Sequence, residues 1–354
     1  MQQSLRNYKR IVVKVGSSLF YSGKNTLDLG LFEQIARQLT QLLKEGKEVV
    51  LVSSGAITLG ISVLGLKEKP RDLATLQAVA AIGQNALMDG YNLAFSKHKI
   101  NCAQILLTWE DFSNRKRYLN AKNTLLKLFL LGSVSVINEN DTVSTEEIKF
   151  GDNDLLSALV SSLINADLLV ILSDVDGLLD QHKKVIPLVE EITPQVKLLA
   201  CPSQKKTCVG GMITKLEAAK IAVDSGIPCV ITNGHVRDSI LSAVHNPGAC
   251  GTIFTSKKSL AAKKRWLAFG SRPQGKVMVD EGAKKALLNR KSLLAVGVVG
   301  CSGDFAAQDI ITLVDKQGNE FARGKISLSA RMLERIKGTR QDKEIIHCDN
   351  IVIL

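Results

Sequence analysis

The chain reads RIVVKVGSS over residues 10–18, and this stretch indicates the class of fold. Residues 11–15 are β-branched except for Lys14, which predicts a strand buried on both faces of a sheet. A lysine near the end of a buried strand is costly unless an anion meets its ammonium group. Gly16 and Ser17 follow at once, and their backbone N–H groups are free to approach a phosphate. The stretch therefore predicts either an anion site or a lysine that extends past the strand end to solvent.

Short apolar runs of the same kind recur from Tyr8 to Phe254 and alternate with helical patterns, one of which is expected to break near Gly83. Apolar strands separated by helices predict an α/β fold with a mainly parallel central sheet sandwiched by helices. Ligands of such sheets bind outside the carboxyl ends of the strands, so chemistry is expected in the segments that follow them. The further strands are predicted at residues 48–53, 103–107, 134–138, 168–173 and 228–232, and the helices at 28–45, 71–97, 116–131, 154–165 and 212–225.

The rest of the chain has a different pattern. Residues 255–273 contain six basic and no acidic residues, which predicts a basic linker over residues 257–274 after a first domain of residues 1–256. Glycine-containing turns at 302–304 and 317–319 then separate short strands, as in small β-rich domains. This second domain is expected to span residues 275–354, with strands at 276–279, 296–299, 310–314, 320–327 and 351–354.

Composition limits the classes of protein. The chain has 46 lysines and arginines against 34 acidic residues, but residues 257–354 hold 19 of the former and 10 of the latter, so most of the excess charge belongs to the linker and tail. A hydrophobic content of 45% excludes a disordered chain. Seven scattered cysteines without a CxxC motif predict reduced thiols, not disulfides or a zinc site. The N-terminal sequence lacks a secretory leader and no apolar run is long enough to span a membrane, which predicts a cytoplasmic protein.

Two loops after predicted strands carry residues suited to small polar ligands. Ser54 and the glycine after it lead into a helix, whose N-terminus attracts a carboxylate or phosphate. The sequences NEND (138–141) and GDND (151–154) place carboxylates and carboxamides at both ends of one loop. Such groups can hold an ammonium group, bind Mg²⁺ or position lysines. Helix capping and turn chemistry explain one residue of 152–154, but not both clusters.

Two further segments are suited to phosphates. The turn SDVDG (173–177) lacks the glutamate of a calcium loop, since Lys183 stands in its place, and it predicts a nucleotide contact. Gly210 and Gly211 precede a helix that carries Lys215, so backbone amides, helix dipole and a cation are expected together; the alternative is an exposed helical lysine. The chain has neither a Walker A loop nor a GxGxxG motif, which disfavours a P-loop NTPase and a Rossmann dehydrogenase.

Taken in order, these segments resemble the amino acid kinase family, and most closely its members that phosphorylate glutamate. The matching motifs are VVKVGSS (12–18), VSSGAI (52–57), INEND (137–141), KFGDNDLLSAL (149–159), LSDVDGL (172–178) and VGGMITKLEAAK (209–220). The tail segments GKVMVDEGAKKALL (275–288) and SLLAVGVVGCSGDF (292–305) resemble a PUA domain, a small pseudo-barrel known from RNA-modifying enzymes. The resemblance covers nearly the whole chain.

The resemblance implies ATP-dependent phosphorylation of the γ-carboxylate of L-glutamate, the first step of proline biosynthesis, with Mg²⁺ accompanying ATP. By matching position, glutamate would contact Ser54, Asp141 and Asn153, with Asp141 at its ammonium group. Lys14 and Lys215 would flank the transferring phosphoryl group, and Asp152 or Asp154 would organise these lysines or Mg²⁺. ATP would contact Lys14, Ser173, Asp174, Val209, Gly210, Gly211, Met212, Ile213, Thr214 and Lys215.

The resemblance also implies feedback inhibition by proline, a functional partnership with the reductase that consumes glutamyl phosphate, and a homodimer or homotetramer. Two departures from the family pattern concern the nucleotide loop. Residues 178–208 form a shorter segment than is usual, and Cys208 and Val209 stand where the family has glycine and threonine, which predicts a less flexible loop.

Two other functions stay open at this point. One is a relative that phosphorylates another acid, such as N-acetylglutamate, aspartate, carbamate or a nucleoside monophosphate; Asp141 disfavours it, because an acidic partner suits a free α-amino group. The other is an RNA-binding protein on a kinase scaffold, which the basic tail favours. The tail has few aromatic residues on which bases could stack.

Overall fold

A computed structural model describes residues 7–22, 26–143, 153–200, 211–256, 262–269, 273–341 and 343–354. The chain divides into two compact units, Met1–Asp111 with Lys116–Ser259, and Phe112–Arg115 with Leu260–Leu354. Among the helices of these ranges, none combines the length and the hydropathy that crossing a bilayer needs. The described cysteines are all free thiols, as predicted, while Cys201 and Cys208 lie outside the described residues.

The first unit is built on one large sheet. In the described residues this sheet has eight strands in the order β5-β6-β4-β1-β7-β9-β10-β8, and every neighbouring pair is parallel except β9 and β10. The predicted mainly parallel sheet is therefore confirmed. The strands are β1 (Arg10–Val15), β2 (Tyr21–Ser22), β3 (Thr26–Leu27), β4 (Glu48–Ser53), β5 (Cys102–Leu107), β6 (Val134–Glu139), β7 (Leu168–Ser173), β8 (Leu188–Val189), β9 (Cys229–Asn233) and β10 (Thr252–Phe254). The helices are α1 (Gly30–Lys44), α2 (Ala56–Val63), α3 (Leu73–Ser96), α4 (Trp109–Ser113), α5 (Arg115–Leu130), α6 (Asn153–Ile164), α7 (Pro194–Leu199), α8 (Gly211–Asp224) and α9 (Ser239–His245).

Helices cover both faces of this sheet, and strand alternation sorts the side chains between them. Val13 and Val15 belong to an apolar core that includes residues of α1, α3 and α9. Lys14 lies between them in sequence, so its side chain emerges from the opposite face, where α6 packs against β1, β4 and β7. The sheet thus directs one lysine toward α6 while its neighbours fill the core.

The helix α3 is continuous over Leu73–Ser96, so the predicted break near Gly83 is wrong. A Cβ atom at Gly83 would lie 1.8 Å from the carbonyl oxygen of Ala56, and one at Gly60 would lie 2.0 Å from the carbonyl oxygen of Val79. Both glycines therefore serve the close crossing of α2 and α3. A single glycine costs a helix about 1 kcal/mol, which this packing offsets.

The second unit is β-rich, as predicted, with a five-stranded sheet in the order β13-β11-β14-β15-β17 and a β12–β16 pair in its described residues. Its strands are β11 (Gly275–Val279), β12 (Leu293–Leu294), β13 (Val298–Gly303), β14 (Ile310–Val314), β15 (Glu320–Lys325), β16 (Glu344–Ile346) and β17 (Ile351–Ile353). Three helices were not predicted from the sequence, namely α10 (Ala262–Phe269), α11 (Glu281–Leu288) and α12 (Ala330–Ile336). The predicted strand at 296–299 is misplaced, because Ala295–Gly297 forms a 3₁₀ turn and the strand begins at Val298.

The helix α10 lies within the stretch for which the sequence predicts a linker. Its Trp266 is buried, and the indole Nε1 donates a hydrogen bond of 2.9 Å to the carbonyl oxygen of Phe112. The guanidinium group of Arg115 lies 5.4 Å from the centre of the indole ring. These contacts join Phe112–Arg115 to the C-terminal segment within the second unit.

Candidate active site

The predicted site residues of the first unit gather at the carboxyl ends of neighbouring strands. Lys14 is the penultimate residue of β1, Ser54 follows β4, and Asp141 follows β6. Ser173 is the last residue of β7. Since β1 lies between β4 and β7 in the sheet, Lys14 stands between the loops that hold these residues.

A buried carboxylate holds the two candidate catalytic lysines. Asp154, in the first turn of α6, is fully buried, and its Oδ1 lies 2.5 Å from Nζ of Lys14. Its Oδ2 lies 3.4 Å from Nζ of Lys215 and accepts a hydrogen bond of 3.2 Å from Oγ1 of Thr214. The two ammonium groups thus lie beside one carboxylate at the strand ends, where positive charges of this kind attract an anion such as a phosphate.

The start of α8 sets the position of Lys215. Its Nζ donates a hydrogen bond of 2.8 Å to the carbonyl oxygen of Gly211, one turn earlier. The hydroxyl of Thr214 lies 3.1 Å from the same oxygen and shares its single hydrogen between this oxygen and Asp154. Met212 and Ile213 are half-buried in the same turn. Asp152, Val209 and Gly210 lie outside the described residues, so their predicted roles remain predictions.

A chain of carboxamides fixes the second half of the site. Nδ2 of Asn153 donates hydrogen bonds to Oδ1 of Asn138 at 2.6 Å and to the carbonyl oxygen of Ser53 at 3.2 Å. Nδ2 of Asn138 donates in turn to Oε1 of Gln84 on α3 at 2.8 Å. Oδ1 of Asn153 is buried and has no hydrogen-bond partner among the described residues. An oriented acceptor without a partner is a binding group for a ligand N–H.

Ser54, Asp141 and Asn153 line one cavity of about 360 Å³. The first residues of α2, Ala56–Thr58, line it as well, and their N–H groups have no acceptor within the helix. Gly55 brings the start of α2 to the cavity, because its φ of 113° turns the chain from β4 into this helix. A larger residue would not fit, since a Cβ atom there would lie 2.7 Å from the ring of Phe20. The cavity is therefore lined by N–H donors and by side-chain acceptors.

Sequence reasoning missed several residues that line the same cavity. Lys67, Glu68 and Lys69 come from the segment between α2 and α3, and Ser17 and Tyr21 follow β1. The three charged residues do not follow a strand, so a search limited to strand ends does not find them. The only sequence signal is the alternation of charges before Pro70.

Burial raises the pKa of Asp141 to about 6, and the positive charge of Lys69 acts against this rise. The carboxyl group is therefore more easily protonated than an ordinary aspartate. A cation bound beside it would favour the ionised form.

The predicted nucleotide turn lies on the other side of β1 in the sheet. Oγ of Ser173 donates a hydrogen bond of 3.0 Å to Oδ1 of Asp174, whose side chain is exposed. Nδ2 of Asn233, at the end of β9, donates to Oδ1 of Asp176 at 2.9 Å. The turn is thus held open to solvent at the ends of β7 and β9, while the cavity lies at the ends of β4 and β6.

Comparison with known proteins agrees with this arrangement. The amino acid kinase family model matches residues 9–233, and the PUA domain model matches residues 275–348. The chain belongs to the amino acid kinase family. Its curated relatives include proteins named glutamate 5-kinase from Thermoanaerobacter sp. (strain X514), 44% identical over 98% of both chains, and from Carboxydothermus hydrogenoformans, 43% identical over the full length of both.

This amino acid kinase also has a solved structural neighbour, the carbamate kinase of Giardia, with a TM-score of 0.50 and 17% sequence identity. The match covers 71% of this chain and 99% of the other. At this identity the likeness supports the fold alone. The resemblance stated from the sequence motifs, to a kinase followed by a PUA domain, is confirmed by the matched ranges.

Proposed function

We propose that this chain transfers the γ-phosphoryl group of ATP to the γ-carboxylate of L-glutamate, giving L-glutamyl 5-phosphate and ADP. One observation carries the proposal: the Lys14–Asp154–Lys215 cluster lies at the strand ends. On one side of β1 is a cavity lined by both hydrogen-bond donors and acceptors, and on the other side is the open turn after β7. The names of the full-length relatives support glutamate as the acid.

The chemistry requires little from acid–base groups. The attacking oxygen is already a carboxylate, so no side chain has to remove a proton from it. The protein must align the two substrates and neutralise charge on the transferring phosphoryl group. Lys14 and Lys215 supply this charge, and Asp154 keeps both ammonium groups in place before the substrates arrive. Such preorganised charges stabilise the transition state without reorganisation during the reaction.

Mg²⁺ would accompany ATP in this reaction and neutralise its β- and γ-phosphates. Asp154 supplies oxygen donors of the kind that Mg²⁺ prefers, but both of its oxygens already contact ammonium groups. Among the described residues, the only group of three metal-binding side chains is His347, Cys348 and Asp349, in the second unit. The residues of the described site therefore fit an ion carried by the phosphates better than one held by the protein.

A single assay tests the proposal against the other acids. ADP release is measured with L-glutamate, N-acetylglutamate, aspartate and uridylate, and hydroxylamine traps any acyl phosphate as a hydroxamate. We expect glutamate-dependent hydroxamate and little product from N-acetylglutamate, because acylation removes the ammonium group that Asp141 would bind. Absence of glutamate-dependent hydroxamate would rule the proposal out.

Several statements about the wider role of the protein remain predictions from the family. They are the place of the reaction as the first step of proline biosynthesis, inhibition by proline, cooperation with glutamyl phosphate reductase, a homodimeric or homotetrameric assembly and a cytoplasmic location. RNA binding by the PUA domain is the alternative function of the tail. A filter-binding assay with the full chain and unrelated RNA sequences tests it.

A further inference from the structure

We propose that Lys69 binds the α-carboxylate of the amino acid substrate and, with Asp141, makes the cavity selective for a free α-amino acid. This inference rests on the proposed function, because it concerns the acid that the cavity holds. It assigns a role to a residue in the segment between α2 and α3, away from the strand ends that carry the other site residues.

The positions of the reacting groups determine which end of the substrate lies near Lys69. Asn153 lines the cavity and is followed directly by Asp154, which holds Lys14. The carboxylate that is phosphorylated must lie on this side, within reach of the lysine cluster. The α-carbon end then lies toward Asp141 and Lys69, which both line this cavity and are close enough for the charge of Lys69 to act on the carboxyl group of Asp141.

Charge complementarity indicates which residues bind the α-ammonium and the α-carboxylate groups of the substrate. The α-ammonium group needs an acceptor, and the carboxylate of Asp141 supplies one. The α-carboxylate needs a cation close to this acid, and the charge of Lys69 is near enough to lower the pKa of Asp141. Within the described residues Lys69 forms no hydrogen bond or ion pair, so its ammonium group is available to a ligand. The neighbouring pair of opposite charges matches the neighbouring charges of an α-amino acid.

Lys67 provides a matched comparison in the same segment. It is exposed, carries the same charge and lines the same cavity, but its charge does not contribute to the shifted pKa of Asp141. Loss of general attraction for anions should therefore be similar in Lys67→Gln and Lys69→Gln. Loss of recognition of the α-carboxylate should occur in Lys69→Gln alone.

The test uses the full-length protein and two substrates, L-glutamate and its α-amide, in which the γ-carboxylate is retained and the α-carboxylate is not. We expect the wild type to prefer glutamate. In Lys69→Gln, KM for glutamate should rise about tenfold with kcat nearly unchanged, while KM for the α-amide should change no more than it does in Lys67→Gln. Lys69→Arg should keep the preference, and Lys67→Gln should retain most of it. Thermal unfolding checks that these exposed substitutions leave the fold intact.

The outcomes separate this inference from the proposed function. If the wild type forms glutamate-dependent hydroxamate but Lys69→Gln keeps the wild-type preference for glutamate over the α-amide, the role of Lys69 is wrong and the proposed function stands. Equal loss of preference in Lys67→Gln and Lys69→Gln would also overturn it, since general charge would then explain the effect. If the wild type forms no hydroxamate, the proposed function itself fails.

Discussion

Lys14 and Lys215 contact the same carboxylate at different distances. Nζ of Lys14 lies 2.5 Å from Asp154, whereas Nζ of Lys215 lies 3.4 Å from it and also bonds a backbone carbonyl. Lys215 is thus the more readily displaced cation. We expect Lys215→Ala to lower kcat by about 10²–10³-fold, as when one donor to a transition-state oxyanion is lost. Steady-state kinetics check this, with Lys220→Ala on the exposed side of the same helix as control; an unchanged kcat would remove Lys215 from the catalytic residues.

The raised pKa of Asp141 predicts how activity depends on pH. Lys67, Glu68 and Lys69 are the charged groups that line its cavity, and burial is the main cause of its pKa of about 6. Above this value the ionised carboxylate can bind the ammonium group of the substrate, and below it the neutral form binds it poorly. We expect kcat/KM for glutamate to fall as the pH drops through about 6. A pH profile from 5 to 8 measures this, and a kcat/KM that stays constant over the whole range would contradict it.

The packing of α2 against α3 affects the candidate site. The helix α2 packs closely against Gly83 of α3, and the first turn of α2 lines the cavity. A methyl group at Gly83 would push against the carbonyl oxygen of Ala56. We expect Gly83→Ala to lower the free energy of unfolding by about 1–3 kcal/mol and to raise KM for glutamate. Denaturant titration and kinetics measure the two effects. Gly300→Ala, where a Cβ atom meets nothing within 4 Å, is the control and should change neither.

The same glycine shows where prediction from the sequence reaches its limit. Periodicity and β-branched runs were sufficient for the parallel sheet and for the residues at its strand ends, since both depend on local pattern. A glycine within a helical pattern suggests a break, and the contact that explains Gly83, with Ala56 on α2, is distant in sequence. Lys69 was missed for a related reason: it reaches the cavity through the packing of two helices. In the second unit, the sequence does not predict α11 and α12, because helices of eight and seven residues show only about two turns of the helical period.

At the scale of the molecule, all described residues of the candidate site lie in the first unit, so the second should not be needed for phosphoryl transfer. We expect truncation after residue 256 or after residue 272 to leave kcat largely unchanged. The protein that ends at residue 272 retains α10, whose Trp266 donates a hydrogen bond to Phe112. It should therefore melt at a higher temperature than the protein that ends at residue 256. Complete loss of activity in a folded truncation would show that the C-terminal unit takes part in catalysis. Equal melting temperatures would show that Trp266 stabilises nothing in the remaining chain.

Burial divides the cations of this protein into two kinds with different responses to ionic strength. Lys14 is 2% exposed and Lys215 is buried, whereas Lys69 is open to solvent. Mobile ions screen exposed charges within about 10 Å at 0.1 M salt and screen buried pairs much less. Added potassium chloride should thus raise KM for glutamate while kcat at saturating substrates stays nearly constant. The enzyme would keep its maximal rate in concentrated salt and lose affinity for its substrate.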